Sequence, residues 1–309
     1  MRNEVKRKKT KIKRYRSLYL MMFPGLIYIL INNYLPMGGL IIAFKSVDFR
    51  LGILKSSWIG FKNFEFLFVS PDAWIITRNT ICYNLVFIIL NAVIGIIFAL
   101  CLNEIRSKFS KSIYQNIILM PYLISMVIVS YLAYAFLSVD SGLINNSILN
   151  KLGHDNIMWY QEKKYWPFIL VVVSTWKNFG FNCIIYLASV VGISKDYYEA
   201  ASLDGASKLQ QIKLVTLPML KPTVITLTLI SVGRMFYSDF GLFYQVPMNT
   251  GILYDVTNVI DTYVYRALIN LGDIGMSSAA GLYQSVVGFI LIMLANWLVT
   301  RVDKDSALF

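Results

Sequence analysis

The chain has 309 residues, of which 57% are hydrophobic and only 15% charged, and its mean hydropathy is +0.58. These values exclude an ordinary soluble domain and indicate an integral membrane protein. The net charge of +12 does not point to nucleic acid, because nine basic residues crowd between Arg2 and Arg16. That clustering marks a cytoplasmic anchor ahead of a first span.

Six runs can each cross a ~30 Å hydrocarbon core as a helix of about 20 mostly apolar residues. The first, Leu18 to Phe44, is long for a signal peptide and lacks a clear small-x-small cleavage site, so it reads as a retained span, with Pro24, Gly25 and Pro36 as sources of a kink. The others are Ile81 to Leu102, Tyr114 to Leu137, Trp166 to Val190, Pro222 to Tyr244 and Ala280 to Thr300. Cys82, Cys101 and Cys183 lie within apolar runs and read as small hydrophobes. Trp74, Trp166 and Trp297 fall near span ends, where amphipathic rings favour the interface.

Six spans put both termini on one side, which then carries eighteen Lys and Arg against nine on the other. The positive-inside rule makes that side cytoplasmic. The expected fold is therefore all-α integral membrane, with a basic tail over 1–17, a transmembrane unit over 18–300 and a short cytoplasmic tail over 301–309. The segments around 45–80, 138–165 and 246–279 face outward.

Between the fourth and fifth runs lies a polar cytoplasmic loop, 195–221. Glu199, Ala200, Ala201 and Leu203 favour helix, Gly205 suits a left-handed helix end, and Ser207 can cap a second helix. Pro218 and Pro222 punctuate the entry to the fifth span. Glu-Ala-Ala is followed after three residues by Gly205, and after nine more by Val215, one residue, then Leu217-Pro218. The spacing resembles the loop by which permease subunits of ATP-binding-cassette importers engage their ATPases.

The resemblance spans nearly the whole chain, through Thr175-Trp176-Lys177-Asn178-Phe179-Gly180, Tyr198 to Gly205, Asp261-Thr262-Tyr263-Val264-Tyr265-Arg266 and Ala280-Gly281-Leu282-Tyr283-Gln284-Ser285. It is similar to the maltose-type carbohydrate-uptake permeases, and within them to the polysaccharide- and oligosaccharide-associated branch. The resemblance implies a second homologous permease, two ATPase subunits and an extracellular solute-binding protein that delivers an oligosaccharide. Glu199, Ala200, Ala201, Asp204, Gly205, Leu217 and Pro218 would then couple the chain to the ATPases. The sequence contains no Gly-x-x-x-x-Gly-Lys-Ser/Thr phosphate loop, so no cofactor is expected on this chain, and ATP with Mg belongs on the partner ATPases. The chain itself is not expected to be an enzyme.

An intramembrane enzyme would need residues that are missing: the sole histidine, His154, lies in an outward loop without a metal-ligand partner at useful spacing. A secondary transporter or channel for a polar solute stays open, because Lys177, Arg234 and Asp239 lie at membrane depth, where charge is costly and faces protein or water. If the fifth span is continuous helix at ~100° per residue, Arg234, Tyr237 and Tyr244 share a stripe, and Asp239 lies on another. Lys177 is a candidate partner for Asp239. Aromatic rings beside polar groups suit sugars, so Lys177, Arg234, Tyr237, Asp239, Phe240, Phe243 and Tyr244 are the candidate pathway residues. Whether the sugar is acidic is left open by the sequence.

Overall fold

Inside a hydrocarbon slab each backbone N–H and C=O must be paired within the protein, so the apolar runs become helices. The computed structural model describes residues 15–70, 72–302 and 307. Most of the expected basic tail (1–14) and most of the expected C-terminal tail (303–306, 308 and 309) lie outside the described residues. Among the described residues five helices are long and apolar enough to cross a membrane, and one further pair of helices, bent by 95°, passes the same test when taken together.

The first span, Ser17–Phe44, opens as α1 (Arg16–Ile29), passes through a π turn at Leu30–Tyr34 and closes as a 3₁₀ segment at Gly38–Phe44. The π turn directly precedes Pro36, a residue without an N–H to donate. A two-residue antiparallel ribbon follows, with Lys45 opposite Trp58 and Ser46 opposite Ser57. The longer elements are then α2 (Ala73–Asn103), α3 (Lys108–Leu123), α4 (Met126–Leu137) and α5 (Trp166–Val191). Next come α6 (Lys195–Leu203), α7 (Lys208–Gln211), α8 (Leu217–Gly233), α9 (Phe240–Gln245), α10 (Ile260–Leu271) and α11 (Ile274–Val302).

The pair α2 and α5 makes the most extensive helix contact, with α3 on α5, α8 on α11, and the 3₁₀ end of the first span on α11. Small residues permit these approaches, as membrane packing requires. A Cβ on Gly180 would lie 2.1 Å from the Ile118 carbonyl oxygen, so only glycine lets α5 come this close to the α3 backbone. Trp166 is fully buried, its indole donating to the Trp159 carbonyl, whereas Trp74 and Trp297 are exposed.

Both α2 and α11 begin earlier than the apolar runs suggest, at Ala73 rather than Ile81 and at Ile274 rather than Ala280. Protein takes over from lipid at those ends. The Asn79 amide, for example, donates to the carbonyls of Asp255 (3.1 Å) and Asn258 (2.9 Å).

Two spans expected to be continuous are broken. The third bends by 95° between α3 and α4. At the bend the buried Lys177 ammonium, carried by α5, donates to the carbonyls of Pro121 (3.4 Å), Tyr122 (3.1 Å) and Ile124 (2.5 Å). It therefore does not pair with Asp239. A cation at the C-terminal end of α3 also meets the negative end of the helix dipole.

The fifth span stops at Gly233 and restarts at Phe240, so the stripe of Arg234, Tyr237 and Tyr244 does not exist. Asp239 instead caps α9 through the Leu242 N–H, at 3.1 Å. At its other end this span starts before Pro222: helix is continuous from Lys208, with a π turn at Ile212–Thr216 just ahead of Pro218.

Lys177→Met should destabilise the purified protein by about 2–4 kcal/mol, because it strips three carbonyls of a charged donor, and Lys177→Arg should recover part of that loss. Denaturant unfolding in detergent measures it, and equal midpoints for the Lys177→Met variant and the parent chain would refute the bracing role.

Candidate functional site

The unwound segment 234–239 is held by side chains from three other helices. Gln284 on α11 donates to the Phe236 carbonyl at 2.7 Å, and the Asp261 carboxylate on α10 accepts from the Ser238 N–H at 2.8 Å. Asn84 on α2 approaches the Ser238 hydroxyl at 3.3 Å, and the Tyr237 and Ser285 hydroxyls are 2.7 Å apart. Burial pushes the Asp261 carboxyl above its ordinary range, while the Ser238 N–H and the Gln284 amide act in the opposite direction.

Beside this segment lies a cavity of about 210 Å³ walled by α2, α5 and α8. Its polar lining is Asn84 and Asn91 of α2, Asn182 of α5, Thr228 and Ser231 of α8, then Arg234 and Tyr237. Since α2 covers residues 73–103, Asn84 and Asn91 bracket its midpoint, which places the cavity near mid-depth of the bundle. The Asn91 Oδ1 is buried without a hydrogen-bond partner among the described residues. Arg234 is exposed and takes part in none of the ion pairs among the described residues. No carboxylate among the described residues lines the cavity.

Of the pathway candidates, only Arg234 and Tyr237 line this cavity. Lys177 braces the bend in the third span, Asp239 caps α9, and Phe243 is buried in a core with Tyr83 and Phe87. Phe240 and Tyr244 stack on each other at 4.9 Å between ring centroids and both meet Tyr265 of α10. The asparagines escape a reading of the sequence because single amides in apolar runs carry no spacing signal. The available clue is that Asn84 and Asn91 stand seven residues apart on α2 and so share a face.

The loop 195–221 folds as the local residues dictate. Gly205 has φ +77°, and the N–H groups of Ala206 and Gly205 donate to the carbonyls of Ala201 (2.9 Å) and Ser202 (3.1 Å), the paired bonds of a Schellman helix end. Ser207 and Gln210 then cap α7 reciprocally. Gln211, buried between the two helices, donates to the Ser202 hydroxyl (2.9 Å) and the Ala206 carbonyl (3.2 Å). The Tyr198 hydroxyl meets that of Thr216 at 3.0 Å, tying α6 to the helix that becomes α8.

Glu199, Ala200 and Asp204 stay exposed, Ala201 is half-buried, and Leu203 and Leu209 are 89% and 79% exposed. Leu217 and Pro218 occupy the first turn of α8. This is a polar loop with an apolar outer surface on a short, rigid helix pair.

Broken spans around a polar mid-depth cavity, with a rigid helical loop at one end, define the membrane-embedded subunit of a transport system. The chain belongs to the family of binding-protein-dependent transport system inner membrane components, whose pattern matches residues 91–304. It is 35% identical over 295 residues to protein LplB of Bacillus subtilis (strain 168), covering 96% of this chain and 92% of that one. It is likewise 35% identical over 303 residues to the polygalacturonan/rhamnogalacturonan transport system permease protein YteP of the same organism, covering 97% and 94%.

Among solved structures, a bacterial ABC transporter involved in the import of the acidic polysaccharide alginate superposes with a TM-score of 0.86 at 32% identity, covering 96% of this chain and 99% of that one. A second structure, of the alginate ABC transporter in complex with an alginate pentasaccharide-bound periplasmic protein, superposes with a TM-score of 0.85, also at 32% identity, covering 96% and 98%.

Gly205→Ala meets no atom within 4 Å, so its effect isolates the backbone strain of a left-handed alanine. That strain, about 1–2 kcal/mol, should raise amide exchange across residues 201–211 roughly tenfold, read by hydrogen-exchange mass spectrometry. Unchanged exchange would mean that Gly205 does not hold the helix pair.

Proposed function

We propose that this chain forms one half of the translocation pathway of an ATP-driven importer for acidic oligosaccharides. The carrying observation is Arg234, a cation set in a polar cavity that no carboxylate among the described residues lines. A guanidinium offers paired donors to a uronate carboxylate, and amide and hydroxyl groups suit sugar hydroxyls. The similar proteins support the same class: one is a polygalacturonan/rhamnogalacturonan transport system permease protein, and another belongs to a transporter involved in the import of the acidic polysaccharide alginate.

At about 210 Å³ the cavity is smaller than the ~300–1,000 Å³ of a site that encloses a drug-sized ligand. The remaining wall belongs to a second homologous permease. A solute-binding protein delivers the sugar from outside, and two ATPase subunits, which hold the ATP and Mg, dock on the loop 195–221. Glu199, Ala200, Ala201, Asp204, Gly205, Leu217 and Pro218 form or position that docking surface. Because Gln211 and the Schellman end make the loop rigid and Tyr198 joins it to Thr216, ATPase closure moves the loop as a unit and drags α8 with it. That motion exposes the cavity to alternate sides. A secondary transporter would have no use for so rigid an apolar-tipped loop.

Arg234→Gln should lower uptake of an oligogalacturonate or oligoalginate by about 10- to 100-fold while leaving complex assembly and basal ATP hydrolysis near the parent level, with Arg234→Lys intermediate. Equal loss for a neutral oligosaccharide would remove the acidic assignment. Failure of every sugar to stimulate ATP turnover in the parent complex would remove the importer reading itself.

The same reading puts both termini and the loop in the cytoplasm, as the excess of Lys and Arg on that side supports. In a cysteine-free background, Ser147→Cys should accept an impermeant thiol reagent on intact cells and Leu209→Cys, which is also exposed but on the opposite side, should resist it. Labelling at 209 but not 147 would invert the topology.

A further inference from the structure

A second cavity, of about 620 Å³, opens beside the loop 195–221 where α2, α3 and α5 end or begin. Its lining is mixed: Leu100, Ile105, Val190, Val191 and Ile193, at the ends of two membrane-spanning helices and their connections, supply its apolar part, beside the polar Asn103, Tyr198, Gln211 and Thr216. Its rim is cationic. Arg106, Lys108, Lys111, Lys195 and Lys208 line it, against the single carboxylate of Glu104, which sits 3.9 Å from Lys208 with both side chains largely exposed. An exposed pair of that kind neutralises little.

The positive-inside bias accounts for cations on this face, and the start of α3 adds a feature that the bias does not require. Ser107 caps the helix, its first turn carries no acidic residue, and Lys108 and Lys111 lie within its first four positions. Cations are disfavoured at the positive end of a 16-residue helix, and an anion there is favoured. A cationic cavity at a helix N-terminus, with apolar residues from the ends of two membrane-spanning helices in its wall, matches a phosphate attached to acyl chains. An acidic side chain from an ATPase subunit would use the cations and leave those apolar residues without a purpose, and a free phosphate would do the same.

We propose that this cavity binds the headgroup phosphate of an acidic phospholipid, with Lys108 and Lys111 as its principal contacts and the acyl chains lying against the ends of α2 and α5. The inference needs only that the chain is membrane-embedded, so it stands or falls separately from the sugar assignment. The bound lipid would neutralise the rim beside the loop and fix the α2–α3 connection against it.

The test uses the complex purified with its partner subunits in detergent, offered phosphatidylglycerol, phosphatidylcholine or inorganic phosphate and read by native mass spectrometry. The parent complex should retain phosphatidylglycerol about tenfold more tightly than phosphatidylcholine, and the double variant Lys108→Gln/Lys111→Gln should lose about that factor. Lys108→Arg/Lys111→Arg should keep it, and Lys151→Gln, in the segment 138–165 at the other face, should change nothing.

Equal retention of the two lipids by the parent complex overturns the proposal without reference to any variant. Inorganic phosphate that displaces phosphatidylglycerol at comparable concentration overturns the lipid as the source of the phosphate. A double variant that sheds ATPase subunits while its lipid retention is unchanged assigns the rim to protein docking instead.

Discussion

Everything distinctive in this structure depends on how two breaks in membrane-spanning helices are satisfied. Unpaired backbone groups in a hydrocarbon slab cost several kcal/mol each, so a span cannot stop at mid-depth unless other side chains take over its hydrogen bonds. Here Lys177 supplies three bonds to the end of α3, while Gln284 and Asp261 take the Phe236 carbonyl and the Ser238 N–H of the unwound fifth span. Each brace comes from a different helix, so the breaks can exist only in the assembled bundle.

The second break completes the site. After Gly233 the chain lines the cavity with Arg234 and Tyr237 from an unwound segment, beside Leu227, Thr228 and Ser231 of α8. The side chains that hold the segment in place, Asn84, Asp261, Gln284 and Ser285, lie on α2, α10 and α11, so the position of Arg234 is set by the packing of the bundle and not by α8 alone. Movement of α8 relative to α2 and α11 would therefore reshape the cavity and its brace together.

At the other end of α8 the logic is local. A left-handed glycine, a reciprocal cap and one buried glutamine make α6 and α7 a rigid pair without long-range help, and the Tyr198–Thr216 contact hands that rigidity to the span. In the proposed importer this asymmetry has a purpose: a stiff lever joins a span that is interrupted at residues 234–239. Force applied at the loop is transmitted through helix and absorbed at the break.

The sequence alone determined what depends on neighbours in the chain and on bulk transfer to lipid. Apolar runs of about 20 residues specified the membrane class and six crossings, and Gly205 and Ser207 specified the loop, because a left-handed glycine and an N-cap are decided within a few residues. Tertiary structure decided the breaks and the cavity. The apolar run Tyr114 to Leu137 carries Pro121 and the N-cap Ser125 as local signals of an interruption, but the 95° bend rests on Lys177, which stands 56 residues beyond Pro121 in the chain. Lys177 itself looks like a pathway charge in the sequence because periodicity cannot reveal that three carbonyls await it. Asn84, Asn91 and Asn182 became a lining only when α2 packed on α5, for a polar group's role in lipid is set by what the neighbouring helix places opposite it.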